Sequence, residues 1–299
     1  MTIYHAVIHT MTEAGTIPHG FLTVENGKIT CVQSGDPDTV TEDDLDAKGS
    51  LLLPGFIDAH THLGILEDGL DFEGDDCNEC TDPFTPHLRA IDGVNPLDRC
   101  FSEALAAGVT TVMTTPGSAN PCGGTMLILK TAGNCVDDMK LTFGGIKFAL
   151  GENPKSVYHG RDEMPFTRMA TAAIIREGLY KAKRYLEQWE AVEEAEDQPD
   201  YDAKCEALLP LLRREYKAHF HCHRADDMMT AIRIAKEFHL DAVLVHGTEG
   251  HRIPDIIQRA GVPIICGPIL CDRCKPELRG LEITTPNILY QHGVSIALC

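Results

Sequence analysis

Eight short apolar runs, separated by stretches with helical periodicity, occupy the chain from Leu51 to its last residue. Helix-like stretches include DRCFSEALAAG before the second run, DMMTAIRIAKEFH before the sixth and IPDIIQRAG before the seventh. Strands that alternate with helices in this way are typical of repeated βα units around a parallel sheet. The runs cover residues 51–60, 108–117, 125–133, 141–150, 217–223, 241–247, 261–267 and 293–299.

The number of runs favours a distorted (β/α)₈ TIM barrel over an open doubly wound α/β sheet. A barrel of this type needs about 250 residues, and the chain has 299. An open sheet usually has fewer strands, and no GxGxxG motif follows the first run. Residues 1–50 alternate apolar and polar positions around the turn sequence ENG, which indicates short β-strands. We therefore predict a small, partial β-domain over residues 1–50 and the barrel over residues 51–299.

The composition excludes several classes of partner. A formal net charge of −19 at pH 7 opposes binding to nucleic acid and to anionic membranes. The sequence contains no run of about 18 apolar residues, so we predict no membrane span. The N-terminus lacks the basic and apolar regions of a secretory signal. We expect a cytoplasmic protein whose 12 cysteines are reduced. The pairs Cys77/Cys80 and Cys271/Cys274 have CxxC spacing and could hold one structural zinc, but their wide separation also fits coincidence.

Histidines stand at the ends of several predicted strands. His60 and His62 close the first run and, because side chains alternate along a strand, they share one face. The functional face of a parallel barrel lies at the carboxyl ends of its strands, where two such imidazoles can chelate one metal ion. Each histidine alone is better explained by core packing, but their recurrence at one end of the barrel favours a metal site. The remaining strand-end histidines are His219, His221 and His223 on the fifth run and His246 on the sixth.

Lys147 is a basic residue inside the fourth apolar run. A buried amine without a partner is unfavourable. Carboxylation by carbon dioxide would convert this amine to an anionic carbamate that can bridge two metal ions. The simpler alternative is that Lys147 forms an ion pair with Glu152 or with another acid.

These residues carry a family resemblance that extends over the whole chain. LPGFIDAHTHLG, with histidines ending the fifth and sixth strands, resembles the amidohydrolase superfamily of metal-dependent hydrolases. HRADD, HGTEG and ALGENPK are similar to its imidazolonepropionase-related group, which includes dipeptidases of the prolidase type. The resemblance implies that His60 and His62 hold the more buried metal, that His221 and His246 hold a second, and that Lys147 bridges them as the carbamate. The reserve candidates for a metal or substrate contact are Glu152, His223 and Arg224.

Two departures from the family pattern affect the expected activity. Imidazolonepropionases continue from HTH into a stretch containing Phe, Arg and Glu, whereas His62 is followed by LGILEDGLDFEGDD, so we do not expect that activity. The family places an aspartate, as metal ligand and general base, just after the eighth strand. The sequence stops at Cys299, so we expect this catalytic aspartate to lie beyond Cys299, in a longer protein of which this chain is an incomplete and weakly active part.

The resemblance implies hydrolysis of an amide or cyclic-amide C–N bond in a small molecule, with dipeptides among the candidate substrates. One or two divalent metal ions are expected, zinc first because the ligands are rich in imidazole, and the full-length protein is expected to be a homo-oligomer. A non-catalytic metal-binding barrel and a deaminase of the same superfamily remain as alternatives. The stretch from Asp68 to Asp82 contains many acids and no base; it either favours a cationic substrate or is a solvated loop.

Overall fold

The N-terminal part of the chain forms a compact unit, Met1–Phe56, that is separate from a second unit, Ile57–Cys299. The structure, a computed structural model, describes residues 1–194, 196 and 198–299. The first unit is a five-stranded sheet in the order β3-β2-β1-β4, with β5 also paired to β1. Asn26 and Gly27 both have positive φ (51° and 73°), as a tight hairpin turn requires. The strands are β1 (Thr2–His9), β2 (Thr16–Glu25), β3 (Lys28–Ser34), β4 (Leu45–Asp46) and β5 (Leu51–Leu52).

The second unit is built on an eight-stranded sheet in which every strand lies beside its neighbours in sequence. Each of the eight predicted apolar runs supplies one strand, so the predicted barrel fold is confirmed. The strands are β6 (Phe56–Thr61), β7 (Val109–Thr114), β8 (Cys122–Lys130), β9 (Lys140–Ala149), β10 (Ala218–Cys222), β11 (Ala242–His246), β12 (Ile264–Cys266) and β13 (Ile296–Leu298).

The expectation of a parallel sheet throughout is wrong at the third strand of the barrel. β8 runs antiparallel to both β7 and β9, whereas the pairings from β9 to β13 are parallel. A parallel crossover needs about a dozen residues or more, usually with a helix. Only residues 115–121 join β7 to β8, and only residues 131–139 join β8 to β9. These connections are too short for a crossover, so the chain turns back on itself.

Helices cover the outer face of this sheet. The outer core packs helical side chains such as Ile175, Leu208 and Ile234 against strand residues such as Phe148 and Phe220. The helices are α1 (Arg99–Ala106), α2 (Val136–Met139), α3 (Glu152–His159), α4 (Arg168–Glu190), α5 (Ala203–Leu212), α6 (Ala225–Phe238), α7 (Pro254–Ala260) and α8 (Thr285–Gln291). Among the described helices, none combines the length and apolarity needed to cross a membrane.

A second cluster fills the inside of the barrel. Its buried part includes Met113, Met126 and Val245, and Ala59 of β6 and Ala297 of β13 pack against it. Side chains from the first and the last strand therefore meet in one cluster. The sheet is curled into a nearly closed barrel whose inner face is distinct from its helix-covered outer face.

We expect the outer core to dominate the stability of the barrel. Phe220 is 0% exposed and stacks on Phe148 with ring centroids 5.1 Å apart. Phe220→Ala should therefore lower the free energy of unfolding by about 3–5 kcal/mol, measured by urea denaturation. The matched control is Phe72→Ala at a side chain that is 94% exposed, where the change should stay within about 0.5 kcal/mol. Equal effects of the two substitutions would contradict the assigned core.

Candidate metal centre

Five histidines converge where parallel barrel strands end. His60 lies in β6, with His62 just after that strand; His221 lies in β10, with His223 just after it; and His246 is the last residue of β11. The ring centroids are 5.4 Å apart for His60 and His62, 5.1 Å for His60 and His246, 4.8 Å for His221 and His223, and 4.6 Å for His246 with either His221 or His223.

Three of these rings form the tightest group. One ligand nitrogen from each of His221, His223 and His246 lies within 4.8 Å of the others. The structure therefore brings together all four predicted histidine ligands, and it places the reserve candidate His223 as close to His246 as His221 is. Sequence reasoning preferred the first histidine of the HxH pair in β10, but this geometry does not separate the two.

Backbone carbonyl groups orient two of the rings. Nδ1 of His62 lies 2.7 Å from the Thr115 carbonyl oxygen, and Nδ1 of His246 lies 2.6 Å from the Gly267 carbonyl oxygen. A carbonyl oxygen can only accept a hydrogen bond, so in both rings Nδ1 carries the proton and donates it. Nε2 therefore presents a free lone pair in each ring, the arrangement that metal-binding histidines commonly have.

The imidazole ring of His60 is buried without a hydrogen-bond partner among the described residues. Its exposed fraction is 8%, and neither ring nitrogen has a hydrogen-bond partner among the described residues. A buried polar group left unpaired costs about 1–3 kcal/mol. A cation held by one of these nitrogens would remove part of that cost, so this orphaned ring supports the fit of a metal to the site.

Burial keeps all five imidazoles neutral at pH 7. It lowers the pKa of His62 and of His223 to about 4. Burial is also the main cause that places the pKa values of His60, His221 and His246 well below the usual range, and the nearby charges of other histidines and Lys147 contribute. Neutral imidazole is the form that binds metal ions.

The backbone at the end of β11 is strained. His246 has a φ of 73°, a left-handed conformation that is uncommon for a residue with a side chain. Gly247 follows with a φ of 55°, and a Cβ atom there would collide with the side chain of Ile264. Such strain persists only where the surrounding structure enforces it, and it is concentrated at functional sites.

Lys147 lies inside the barrel without an acidic partner. It is 1% exposed, its Nζ donates to the Pro116 carbonyl oxygen at 2.9 Å, and no described acid forms an ion pair with it. Burial lowers its pKa to about 7. The alternative that Lys147 pairs with Glu152 is wrong, because Oε2 of Glu152 instead accepts a hydrogen bond from the backbone N–H of Glu277 at 3.2 Å.

Glu152 and Arg224 line a cavity of about 270 Å³ that Glu277 also lines. Arg224 pairs with Asp226 at 2.7 Å. It lines this cavity and is not part of the histidine group. Basic side chains are numerous around this cavity, although the chain as a whole is acidic. The basic residues that line it are Lys155, Arg168, Arg224 and Arg279.

Sequence reasoning missed Glu277. It lies between β12 and α8 and is 2% exposed. Its Oε1 atom lies 3.8 Å from Nε2 of His221 and 3.6 Å from Nε2 of His223. The one available signal was its position after the seventh strand, since loops at that end of a barrel line the active site. That rule does not single out one acid within a long connection.

The remaining candidates from the sequence are not members of the five-histidine group. His219 lines a different cavity, of about 290 Å³, together with Ile57 and Ser295. The cysteines of the two CxxC pairs form no metal-ligand cluster in the described part of the chain. In the acidic stretch, Asp68 pairs with Arg99 and Asp82 with Lys204, so two of its acids are already neutralised locally.

Comparisons with known proteins bear on the family and the fold. The model of the amidohydrolase family matches residues 51–275. The crystal structure of an amidohydrolase from Thermotoga maritima MSB8 is similar over 99% of this chain and 77% of that one, with a TM-score of 0.93 and 40% sequence identity.

Two curated relatives match this chain over different lengths. "Amidohydrolase tasK" of Hapsidospora irregularis is 30% identical over 266 residues, which are 80% of this chain but 27% of that protein. The chain thus spans about a quarter of the length of that relative. A 5-methylthioadenosine/S-adenosylhomocysteine deaminase of Bacillus thuringiensis (strain Al Hakam) is 40% identical over 65 residues, 21% of this chain and 15% of that protein.

The unpaired ring of His60 leads to a stability prediction. In metal-free protein, His60→Leu should raise the free energy of unfolding by about 1–3 kcal/mol, because it removes two buried unpaired nitrogens. The control, His62→Leu, should not stabilise, since it leaves the Thr115 carbonyl without the donor that lies 2.7 Å away. Both are measured by denaturant unfolding in EDTA. A loss of stability in His60→Leu as large as that in His62→Leu would refute this account of the ring.

Proposed function

This chain belongs to the amidohydrolase family, and from that premise we propose that it is a metal-dependent hydrolase of an amide or cyclic-amide C–N bond. The observation that carries the proposal is the group of five neutral imidazoles at the carboxyl ends of the strands, three of them buried and two, His62 and His246, partly buried. Lone pairs at His62 and His246 are already oriented by backbone carbonyl groups.

The residues that would hold the metal are the five histidines. His60 and His62 form one pair, and His221, His223 and His246 form the second group. An imidazole-rich set of ligands suits zinc. A divalent cation bound there would supply Lewis acidity, polarising the substrate carbonyl and making water a stronger acid at neutral pH.

Lys147 is proposed to act as a carbamate. The lone pair of its neutral amine would form a bond to the carbon of carbon dioxide, and the nitrogen would lose a proton to solvent. The product is an anion, and a negative charge is favourable beside histidines that would bind a metal cation. Support comes from the burial of Lys147 and from the lack of any ion pair with a described acid.

The carbamate gives a direct spectroscopic prediction. Zinc-loaded protein equilibrated with ¹³C-labelled bicarbonate should show one protein-bound carbamate carbonyl resonance by ¹³C NMR. Lys147→Met should lose that resonance, whereas Lys140→Met, which changes an exposed lysine at the start of β9, should retain it. An identical spectrum for wild type and Lys147→Met would exclude the carbamate and favour a centre held by histidines without a bridging lysine.

The substrate is proposed to carry a carboxylate, as a dipeptide or an N-acyl amino acid does. The basic cavity supports this proposal. Arg168 and Arg224 are paired with Asp227 and Asp226, but Lys155 and Arg279 form no ion pair with any described acid. Glu277 lines this cavity and also faces His221 and His223, so the basic cavity adjoins the proposed metal site.

A panel of substrates tests the hydrolase and its specificity together. Zinc-loaded protein should hydrolyse N-acyl amino acids and dipeptides with uncharged side chains. The released amino acid is measured with an amine-detection assay. Amidation of the substrate carboxylate should raise KM about tenfold or more, because the cations then lack a charged partner. Arg279→Met should raise KM for the carboxylate substrate and leave KM for the amidated one unchanged.

The control is Arg259→Met, at an exposed arginine of α7 that bonds to the Asp255 carbonyl; it should change neither value. Equal KM for the two substrates, or a preference for cationic ones, would contradict the role of the basic cavity. Ammonia release from aminopurine nucleosides without amide cleavage would favour the deaminase. Stoichiometric metal with no turnover of any substrate would favour a non-catalytic barrel.

A further inference from the structure

We propose that Glu277 is a further ligand of the metal centre, supplied by the connection between β12 and α8. This inference rests on the proposed metal-dependent function. It adds one carboxylate to a set of proposed ligands that otherwise consists of strand-end histidines. The observation behind it is a buried carboxylate oxygen that points at two imidazole nitrogens.

The distances match those between ligand atoms of one cation. Oε1 of Glu277 is 3.6 Å from Nε2 of His223 and 3.8 Å from Nε2 of His221. In a tetrahedral zinc site with bonds of about 2.1 Å, neighbouring ligand atoms lie about 3.4 Å apart. Both distances from Oε1 are therefore within a few tenths of an ångström of those that a shared ion would require.

The rest of the Glu277 side chain is held firmly. Its Oε2 atom accepts a hydrogen bond from the backbone N–H of Glu152 at 3.0 Å, and its own N–H donates to Oε2 of Glu152 at 3.2 Å. This reciprocal pair ties the connection to the start of α3. One carboxylate oxygen is thereby used for positioning, and the other, Oε1, faces the imidazoles and the ammonium group of Lys275.

Lys275 is the cation that now faces Oε1. Its Nζ lies 2.9 Å from that oxygen and also donates to Oδ1 of Asn153 at 3.2 Å. When a metal takes Oε1, the ammonium group therefore keeps a hydrogen-bond partner. A doubly charged ion between a carboxylate and neutral imidazoles also attracts Oε1 more strongly than one ammonium group does.

The competing explanation is that Glu277 serves only as the counter-ion of Lys275. The two explanations differ in what happens to metal affinity when the negative charge is removed. Glu277→Gln keeps the shape and an oxygen acceptor for the Glu152 N–H, but it loses the anionic ligand. The matched control is Glu249→Gln, at a buried glutamate that pairs with Arg252 and accepts from the Ala225 N–H.

The test is titration of the metal-free chain with Co²⁺, followed by visible absorption and by calorimetry. Glu277→Gln should raise the Kd for Co²⁺ at least tenfold and alter the intensity and position of the cobalt d–d bands, because the ligand set has changed. Glu249→Gln should reproduce the wild-type Kd and spectrum. Thermal unfolding in EDTA checks that each variant is folded before titration.

Wild-type affinity and bands in Glu277→Gln would overturn this inference while leaving the metal-dependent function intact. Failure of the wild-type chain to bind Co²⁺ would overturn both. Should Glu277→Gln fail to fold, Glu277→Asp takes its place: it keeps the charge for Lys275 but withdraws the oxygen from the histidines. A raised Kd in Glu277→Asp supports the ligand role, and an unchanged Kd overturns it.

Discussion

The parallel pairing of β9 with β10 decides which side chains meet inside the barrel. Alternate residues of each strand point to opposite faces, so Phe148 and Phe220 pack under the helices while Lys147 and His221 point inward. A slip of one residue would exchange the two sets. The apolar contacts that stabilise the outer core therefore also enforce the positions of the polar groups inside, and the site depends on them.

The polar groups at the strand ends are unfavourable for folding when considered alone. The ring of His60 has no hydrogen-bond partner among the described residues, His246 has a strained backbone, and Lys147 is buried with a carbonyl oxygen as its partner. Each of these features costs free energy, and the extensive core around the barrel offsets it. Their concentration at one end of the barrel suits a cation, because the ring nitrogens of His60 and the Nε2 atoms of His62 and His246 have no competing hydrogen bond within the described part of the chain.

Glu277 connects this group with the basic cavity. Its hydrogen bonds with Glu152 join the segment after β12 to the start of α3, and both residues line the cavity that contains Arg224. The proposed anionic substrate and the proposed metal would thus both lie near one shared carboxylate.

The sequence by itself determined the eight strands and the strand-end histidines, because both follow from local rules. Apolar runs mark buried strands, and alternation places His60 with His62, and His221 with His223, on common faces. Only the tertiary structure decided that β8 runs antiparallel, that Glu152 turns away from Lys147, and that Glu277 reaches the histidines. These features depend on how the connections between strands pack. That packing brings together residues that are far apart in the chain, and sequence periodicity gives no information about such contacts.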